Sequence, residues 1–290
     1  MILVTGATGT IGRPLVNVLA AAGEQVRALA RHTGRPADEL PAGVEAVPGD
    51  LSRPETIVAA LHGVTTLFVH PRAVGAAAPT LLALAAEHGV KHVAALSAIN
   101  VDDDLAWQPS RFNGDRNKEV EDGVIASGLP WVSVRPSAFA VSATAMWASQ
   151  IRNGDVVRGP YAGFADPFIH EEDVASVLAR ALLDDSLAGQ KISITGPQSV
   201  THTEMVSTIG EVIDRPLRYE EISPSEAAEG IMALGLPRSF ADAMMARYSR
   251  ELENPYPVTD GVEKTLGRPA RSYAEWVVDH TSAFQSYPAA

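Results

Sequence analysis

Thr5-Gly6-Ala7-Thr8-Gly9-Thr10-Ile11-Gly12 places three glycines three residues apart, directly after the apolar run Met1-Ile2-Leu3-Val4. That spacing suits the binding of a dinucleotide pyrophosphate. Gly6 permits a tight turn, Gly9 has no Cβ to block a phosphate, and Gly12 lets the next element pack closely on the strand. A helix starting there offers unpaired N–H groups and a positive dipole end to phosphate oxygens. The candidate cradle is therefore Gly6, Thr8, Gly9, Thr10, Ile11 and Gly12. The plain alternative is a glycine-rich connection without a ligand. The place of the motif, after a strand and before the helical pattern Leu15, Val16, Val18 and Leu19, favours the ligand.

A second chemical signal follows about 20 residues on. The strand Gln25 to Ala30 ends in Arg31-His32-Thr33-Gly34-Arg35, and no carboxylate appears until Asp38. An acidic residue at this place holds the ribose 2′-hydroxyl of NAD, whereas a cation accommodates the 2′-phosphate of NADP. Arg31 therefore points to NADP. Further along, His70 follows the strand Thr65 to Val69 at its carboxyl end, the edge where open α/β sheets bind ligands. His70 can meet cofactor or substrate there, or simply pack.

The elements that must position these residues alternate regularly. Strands are predicted at the N-terminus, at Gln25 to Ala30, over Gly43 to Leu51, at Thr65 to Val69 and at His92 to Leu96, with helices between them. One of these helices covers about Pro79 to His88. Strand and helix in alternation imply a right-handed, doubly wound parallel sheet, an α/β Rossmann architecture. Residues 1–155 are read as the nucleotide-binding domain, its sheet completed by residues 165–196. Residues 156–290 are read as a mainly helical, substrate-covering part interleaved with the first. Three capping-box patterns mark that part: Thr201 with Glu204, Ser223 with Glu226, and Ser272 with Glu275. The apolar stripe Ile231, Met232, Leu234, Phe240, Met244 and Met245 can line the cover or serve as core. Phe139, Trp147, Tyr161, Phe164 and Phe168 fall in the expected pocket-forming region and suit an apolar, aromatic substrate.

Composition narrows the classes. The 290 residues are 46% hydrophobic, enough for a large core, and carry 23 Lys plus Arg against 35 Asp plus Glu, a net charge of −12. Such a balance argues against nucleic acid or an anionic membrane as partner. With no cysteine, thiolate catalysis, disulfides and cysteine metal sites are excluded. Neither a metal-ligand spacing nor a GxSxG elbow is present, and no metal is expected. The N-terminus lacks a basic signal region and the apolar runs are short, so a cytoplasmic protein, monomer or homodimer, is the expectation.

The spacing GxxGxxG within TGATGTIG resembles that of the atypical short-chain dehydrogenase/reductases, above all the NmrA-like branch, which includes quinone and dye reductases and redox-sensing regulators. The run Ser127-Gly128-Leu129-Pro130-Trp131-Val132-Ser133-Val134-Arg135-Pro136 is a second, more specific match. The resemblance implies that Asp50, in the Gly49-Asp50-Leu51 turn, touches the adenine, although Asp50 also suits a turn or cap. It implies that the segment Pro136, Ser137, Ala138 and Phe139 passes beside the nicotinamide. It puts Ser97 at the place of the catalytic serine, where the hydroxyl can equally satisfy a loop backbone group. It also puts Lys118, on a helix over Asn113 to Glu121, at the position of the lysine that holds the nicotinamide ribose. Gly114 stands where the tyrosine acid of Tyr-x-x-x-Lys belongs, and none of the six tyrosines has a lysine four residues on. Lys118 can alternatively be a solvent-facing lysine paired with Glu121 or Asp122.

What the resemblance implies is an NADPH-dependent oxidoreductase that delivers hydride to an apolar, aromatic, quinonoid or conjugated carbonyl small molecule. The missing tyrosine keeps two other readings open: a non-catalytic NADP-binding redox sensor acting through a protein partner, and an NADP-dependent isomerase or epimerase.

Overall fold

The computed structural model describes residues 1–30, 40–51 and 53–285. Its centre is a seven-stranded sheet in the order β3-β2-β1-β4-β5-β6-β9, with every neighbouring pair parallel. The strands are β1 (Ile2–Val4), β2 (Val26–Ala30), β3 (Glu45–Pro48), β4 (Thr66–Val69), β5 (His92–Leu96) and β6 (Trp131–Pro136), and after the short β7 (Val156–Gly159) and β8 (Ala165–Asp166) comes β9 (Gln190–Ile194). Strands β1, β2 and β5 are buried along their whole length. Helices cover both faces of a parallel sheet, so these strands are mainly apolar; the exceptions are His92 and Arg27, the latter bonded to Glu45 and to the Ala60 and His62 carbonyls.

Helix α1 (Gly12–Ala21) lies on one face. On the other side, the single turn α2 (Pro71–Val74) leads into α3 (Ala78–Glu87), and the single turn α4 (Pro109–Phe112) precedes α5 (Asn117–Ala126). Then α6 (Ser142–Asn153) begins the cover, and α7 (Glu171–Leu183) returns to the sheet and packs on α1. Two cores result. One holds Leu15, Val16 and Leu19 of α1 with Val174, Val177 and Leu178 of α7, and the other holds Leu81 and Leu82 of α3 with Val120 and Val124 of α5.

The remaining elements are β10 (Val200–Thr201), α8 (His202–Val212), β11 (Arg218–Glu221), α9 (Pro224–Ala233), α10 (Arg238–Glu253), α11 (Gly261–Leu266) and α12 (Tyr273–Asp279). A third core joins α6 to α8 and α12, with Trp147, Met205, Ile209 and Trp276 in its interior. Capping boxes close at Thr201 with Glu204 and at Ser272 with Glu275. At Ser223 only half forms: the hydroxyl accepts from the Glu226 N–H, without the reciprocal bond.

Two expectations change. The helix expected from Asn113 begins at Asn117, because Gly114 takes a φ of +100° and the chain turns there. Of the aromatic cluster, Trp147 and Phe164 are buried in the third core around His202 and Tyr248, Phe168 in the same core beside Tyr273, and Tyr161 packs against it, so only Phe139 is left to the cavity described next. Ring against ring buries more apolar surface than a ring facing a solvated cleft. No described helix is long and apolar enough to cross a membrane.

Candidate functional site

Parallel strands in register bring their carboxyl ends to one edge. Val4 lies beside Phe68, Val69 beside Ala95, and Leu96 beside Val134, so the residues that follow each strand share a rim. Thr5 ties the rim together at the switch point between β1 and β4. Its hydroxyl donates to the Phe68 carbonyl at 2.9 Å and accepts from the His70 N–H at 2.8 Å.

The glycine turn meets its steric demands. Gly6 has a φ of +64°, and a Cβ there would meet the His70 side chain at 3.2 Å. Gly9 is the open one: among the described residues a Cβ would come near only the Gly6 carbonyl oxygen, at 3.3 Å. Helix α1 starts with Ile11 in the capping position and no side-chain acceptor on its first turn. Uncapped N–H groups beside an open glycine are what a pyrophosphate requires. These residues fit a dinucleotide.

Two cavities flank this turn. The first, 560 Å³, is lined by Gly9, Thr10 and Ile11 from the turn, His70 and Ser97 from the strand ends, and Pro136, Ser137 and Phe139 from the segment after β6. Asn100, Asp115, Asn117 and, from the cover helix α10, Phe240, Met244 and Arg247 complete it. The second, 760 Å³, takes Gly6, Thr8, Ala30, Asp50, Leu51 and Thr80. Arg72 lines both, and its guanidinium donates to the Asn113 carbonyl at 2.9 Å. The first cavity has the place and apolar cover of a nicotinamide and substrate site, and the second that of an adenosine site.

The electrostatics distinguish the rim residues. Burial, aided by the Arg72 charge, pushes His70 down to about 4, so the ring is neutral at physiological pH. Its Nδ1 accepts the Arg72 N–H at 3.3 Å, which leaves Nε2 as the protonated nitrogen. Ser97 is buried and its hydroxyl has no partner in hydrogen-bond geometry, although its nearness to Glu121 helps keep that carboxylate ionised. Glu121 is held near 2 against its own burial, chiefly by Arg135 and Ser133. Ser137 is committed elsewhere: its hydroxyl donates to the Pro167 carbonyl at 2.6 Å.

Lys118 does not line either cavity. Its ammonium pairs with Asp122 at 2.9 Å and Asp102 at 3.5 Å, on the outer side of α5. The bond to Asp122 raises its pKa. The docking of α5 is the physical reason: its buried face carries Asn117, Val120, Glu121 and Val124, and Lys118, about 100° round the helix from Asn117, falls off that face while Asn117 lines the cavity. The alternative of a surface pair with Asp122 is the one observed. Arg31 lies outside the described residues.

Other cavity residues carried no sequence signal. Arg247 has the i, i+4 spacing of a surface pair with Glu251, yet Glu251 is buried, the Arg247 side chain is only 12% exposed, and Arg247 also pairs with the fully buried Asp166 of β8. The cover stripe divides: Phe240 and Met244 line the cavity, Met245 backs the third core, and Leu234 is 76% exposed. Among the described residues no cluster of potential metal ligands occurs.

The fold, the glycine turn and the paired cavities are those of a dinucleotide-binding Rossmann protein. Residues 6–185 match the NAD(P)H-binding family, and the chain belongs to it. It is 33% identical over 289 residues to an NAD(P)H azoreductase of Xenophilus azovorans, covering 98% of this chain and 99% of that one. To the (4-alkanoyl-5-oxo-2,5-dihydrofuran-3-yl)methyl phosphate reductase of Streptomyces griseus it is 35% identical over 291 residues, covering 98% and 99%. The fold is similar to that of the NADPH complex of quinone oxidoreductase QOR2 from Escherichia coli, with a TM-score of 0.83 at 20% identity, covering 97% of this chain and 100% of that one. An NmrA structure is also similar, with a TM-score of 0.77 at 19% identity.

Proposed function

We propose that this protein is an NADPH-dependent reductase of apolar, conjugated small molecules: quinones, conjugated carbonyls, azo compounds or cationic dyes. The observation that carries the reading is the first cavity, where the glycine turn, the strand-end residues Ser97 and Phe139 and the cover residues Phe240 and Met244 meet. The names of the two curated relatives, both reductases covered over 99% of their length, support it.

When bound, the dihydronicotinamide supplies hydride. The chain's own work is positioning and exclusion of water. Gly9, Thr10 and Ile11 would receive the pyrophosphate, Asp50 and Leu51 would border the adenosine, and Pro136 with Phe139 would wall the nicotinamide end. A neutral His70 and the unpartnered Ser97 hydroxyl are the polar groups at the rim. The preference for NADP rests on Arg31. Lys118 has no part in this reading, and Asn117 takes the place on the cavity wall. An acceptor that delocalises the incoming electron pair has little need of a tyrosine acid.

The test is NADPH oxidation against a panel of quinones, conjugated ketones, azo compounds and cationic dyes. Turnover with net NADPH consumption is expected. Nucleotide binding without turnover across the panel would turn the reading toward a sensor, and substrate conversion without net consumption toward an isomerase.

A further inference from the structure

We propose that Arg247 is the electrophile of the cavity, its Nη1 group donating hydrogen bonds to the substrate oxygen on which negative charge develops as hydride arrives. This rests on the reductase reading above. The residue comes from α10 and lines the first cavity together with Ser97, Asn117 and Phe139. Its guanidinium is pinned: Nε donates to Glu251 at 2.8 Å and Nη2 pairs with Asp166. Nη1 makes no hydrogen bond to any described residue, although the side chain is only 12% exposed. A buried cation with two carboxylates holding it from behind and one free donor edge is a preorganised hydrogen-bond donor.

Its neighbours sharpen the case. Asp166 Oδ1 and Glu251 Oε2 are buried without partners, so the cluster costs free energy that ordinary packing of the cover would avoid. No described tyrosine lines the cavity, and among the described lining residues Ser97 is the hydroxyl that is buried without a partner in hydrogen-bond geometry. In the step itself, the substrate carbon takes hydride from the dihydronicotinamide, which is oxidised. The π pair of the conjugated carbonyl moves onto oxygen, Nη1 of Arg247 binds that oxygen, and solvent protonates it afterwards. Reduction of a triarylmethyl cation differs in one respect. Hydride neutralises the positive carbon, no oxyanion forms, and Arg247 has nothing to stabilise.

The experiment compares a quinone and a cationic triphenylmethane dye as substrates of wild type and Arg247→Lys, which keeps a positive charge between Asp166 and Glu251 and removes Nη1. The expected result is a loss of about a hundredfold in kcat for the quinone, the range of one oxyanion donor, with dye reduction within about twofold. A second readout is the titration of 4-nitrophenol bound to the NADP⁺-loaded protein, followed by phenolate absorbance: its pKa should rise by about one unit or more in Arg247→Lys, a tenfold loss of preference for the anion. Should Arg247→Lys not fold, the combined variant Arg247→Met, Asp166→Asn, Glu251→Gln removes the buried charges together and is held to the same ratio. Equal losses on both substrates, or none, with an unmoved phenol titration, overturn the proposal. A wild type that reduces neither substrate overturns the reductase reading itself.

Discussion

A Cβ placed on Gly12 would lie 2.1 Å from the carbonyl oxygen of Gly6, closer than any side chain can stand to a backbone atom. Gly9, midway between them, is far less crowded: a Cβ there would meet only the Gly6 carbonyl oxygen among the described residues, at 3.3 Å. The two glycines should therefore separate folding from binding. Gly12→Val is expected to unfold the protein or lower its Tm severely, while Gly9→Val stays folded and loses NADPH, because its methyl groups occupy the pyrophosphate position. Thermal melts with nucleotide titration by fluorescence check both, and normal NADPH affinity in Gly9→Val would remove the glycine turn from the site.

Cofactor choice is expected to follow Arg31. Arg31→Asp should weaken NADPH by about tenfold to a hundredfold and spare NADH, since a charge-assisted contact contributes about 1.5–3 kcal/mol. Titrations with each nucleotide measure it. If selectivity stays the same, Arg72 is the next cation to substitute, because it lines both cavities.

Asn117 and Lys118 are adjacent in the chain and differ in what they face. Lys118→Met should change kcat and NADPH affinity by no more than about twofold, as expected for loss of an exposed ion pair. Asn117→Leu should lower kcat by about tenfold or more, since shifting a reactant by about 1 Å costs roughly a hundredfold. Steady-state kinetics on the same substrate decide it, and the reverse pattern would restore Lys118 to the reaction.

Acid stability should depend on two buried histidines. Burial holds both His70 and His202 down to about 4, with Arg72 adding to the effect at His70. In the unfolded chain they titrate near 6.5, so between pH 6.5 and about 4 the unfolded state binds more protons than the folded one. Their neutral forms stabilise the fold fully above 6.5, and that stability is lost as pH falls through this window, by about 3 kcal/mol for each residue at 1.36 kcal/mol per unit. Urea unfolding at pH 7 and pH 4.5 should show the fall, and His202→Phe should reduce its slope. An unchanged slope in that variant would mean that carboxylates carry the acid response instead. Glu121, held near 2, titrates below this window.

Much of the fold was legible in the residues alone. Parallel strands buried on both faces are mainly apolar runs, and β1, β2, β4 and β5 stand where such runs stand. The glycine turn was equally local, because φ, the missing Cβ and the helix start are properties of eight consecutive residues. What only the tertiary structure decided is which side chains meet. The way α5 docks turns Asn117 inward with Val120 and Val124 and leaves Lys118 outward, a phase that residue type does not encode. Arg247 and Glu251 have the spacing of a surface pair, and it is β8, brought under α10 by the cover, that buries them against Asp166. Local sequence sets conformation within a few residues, whereas burial and contact between residues 81 positions apart depend on how whole elements dock.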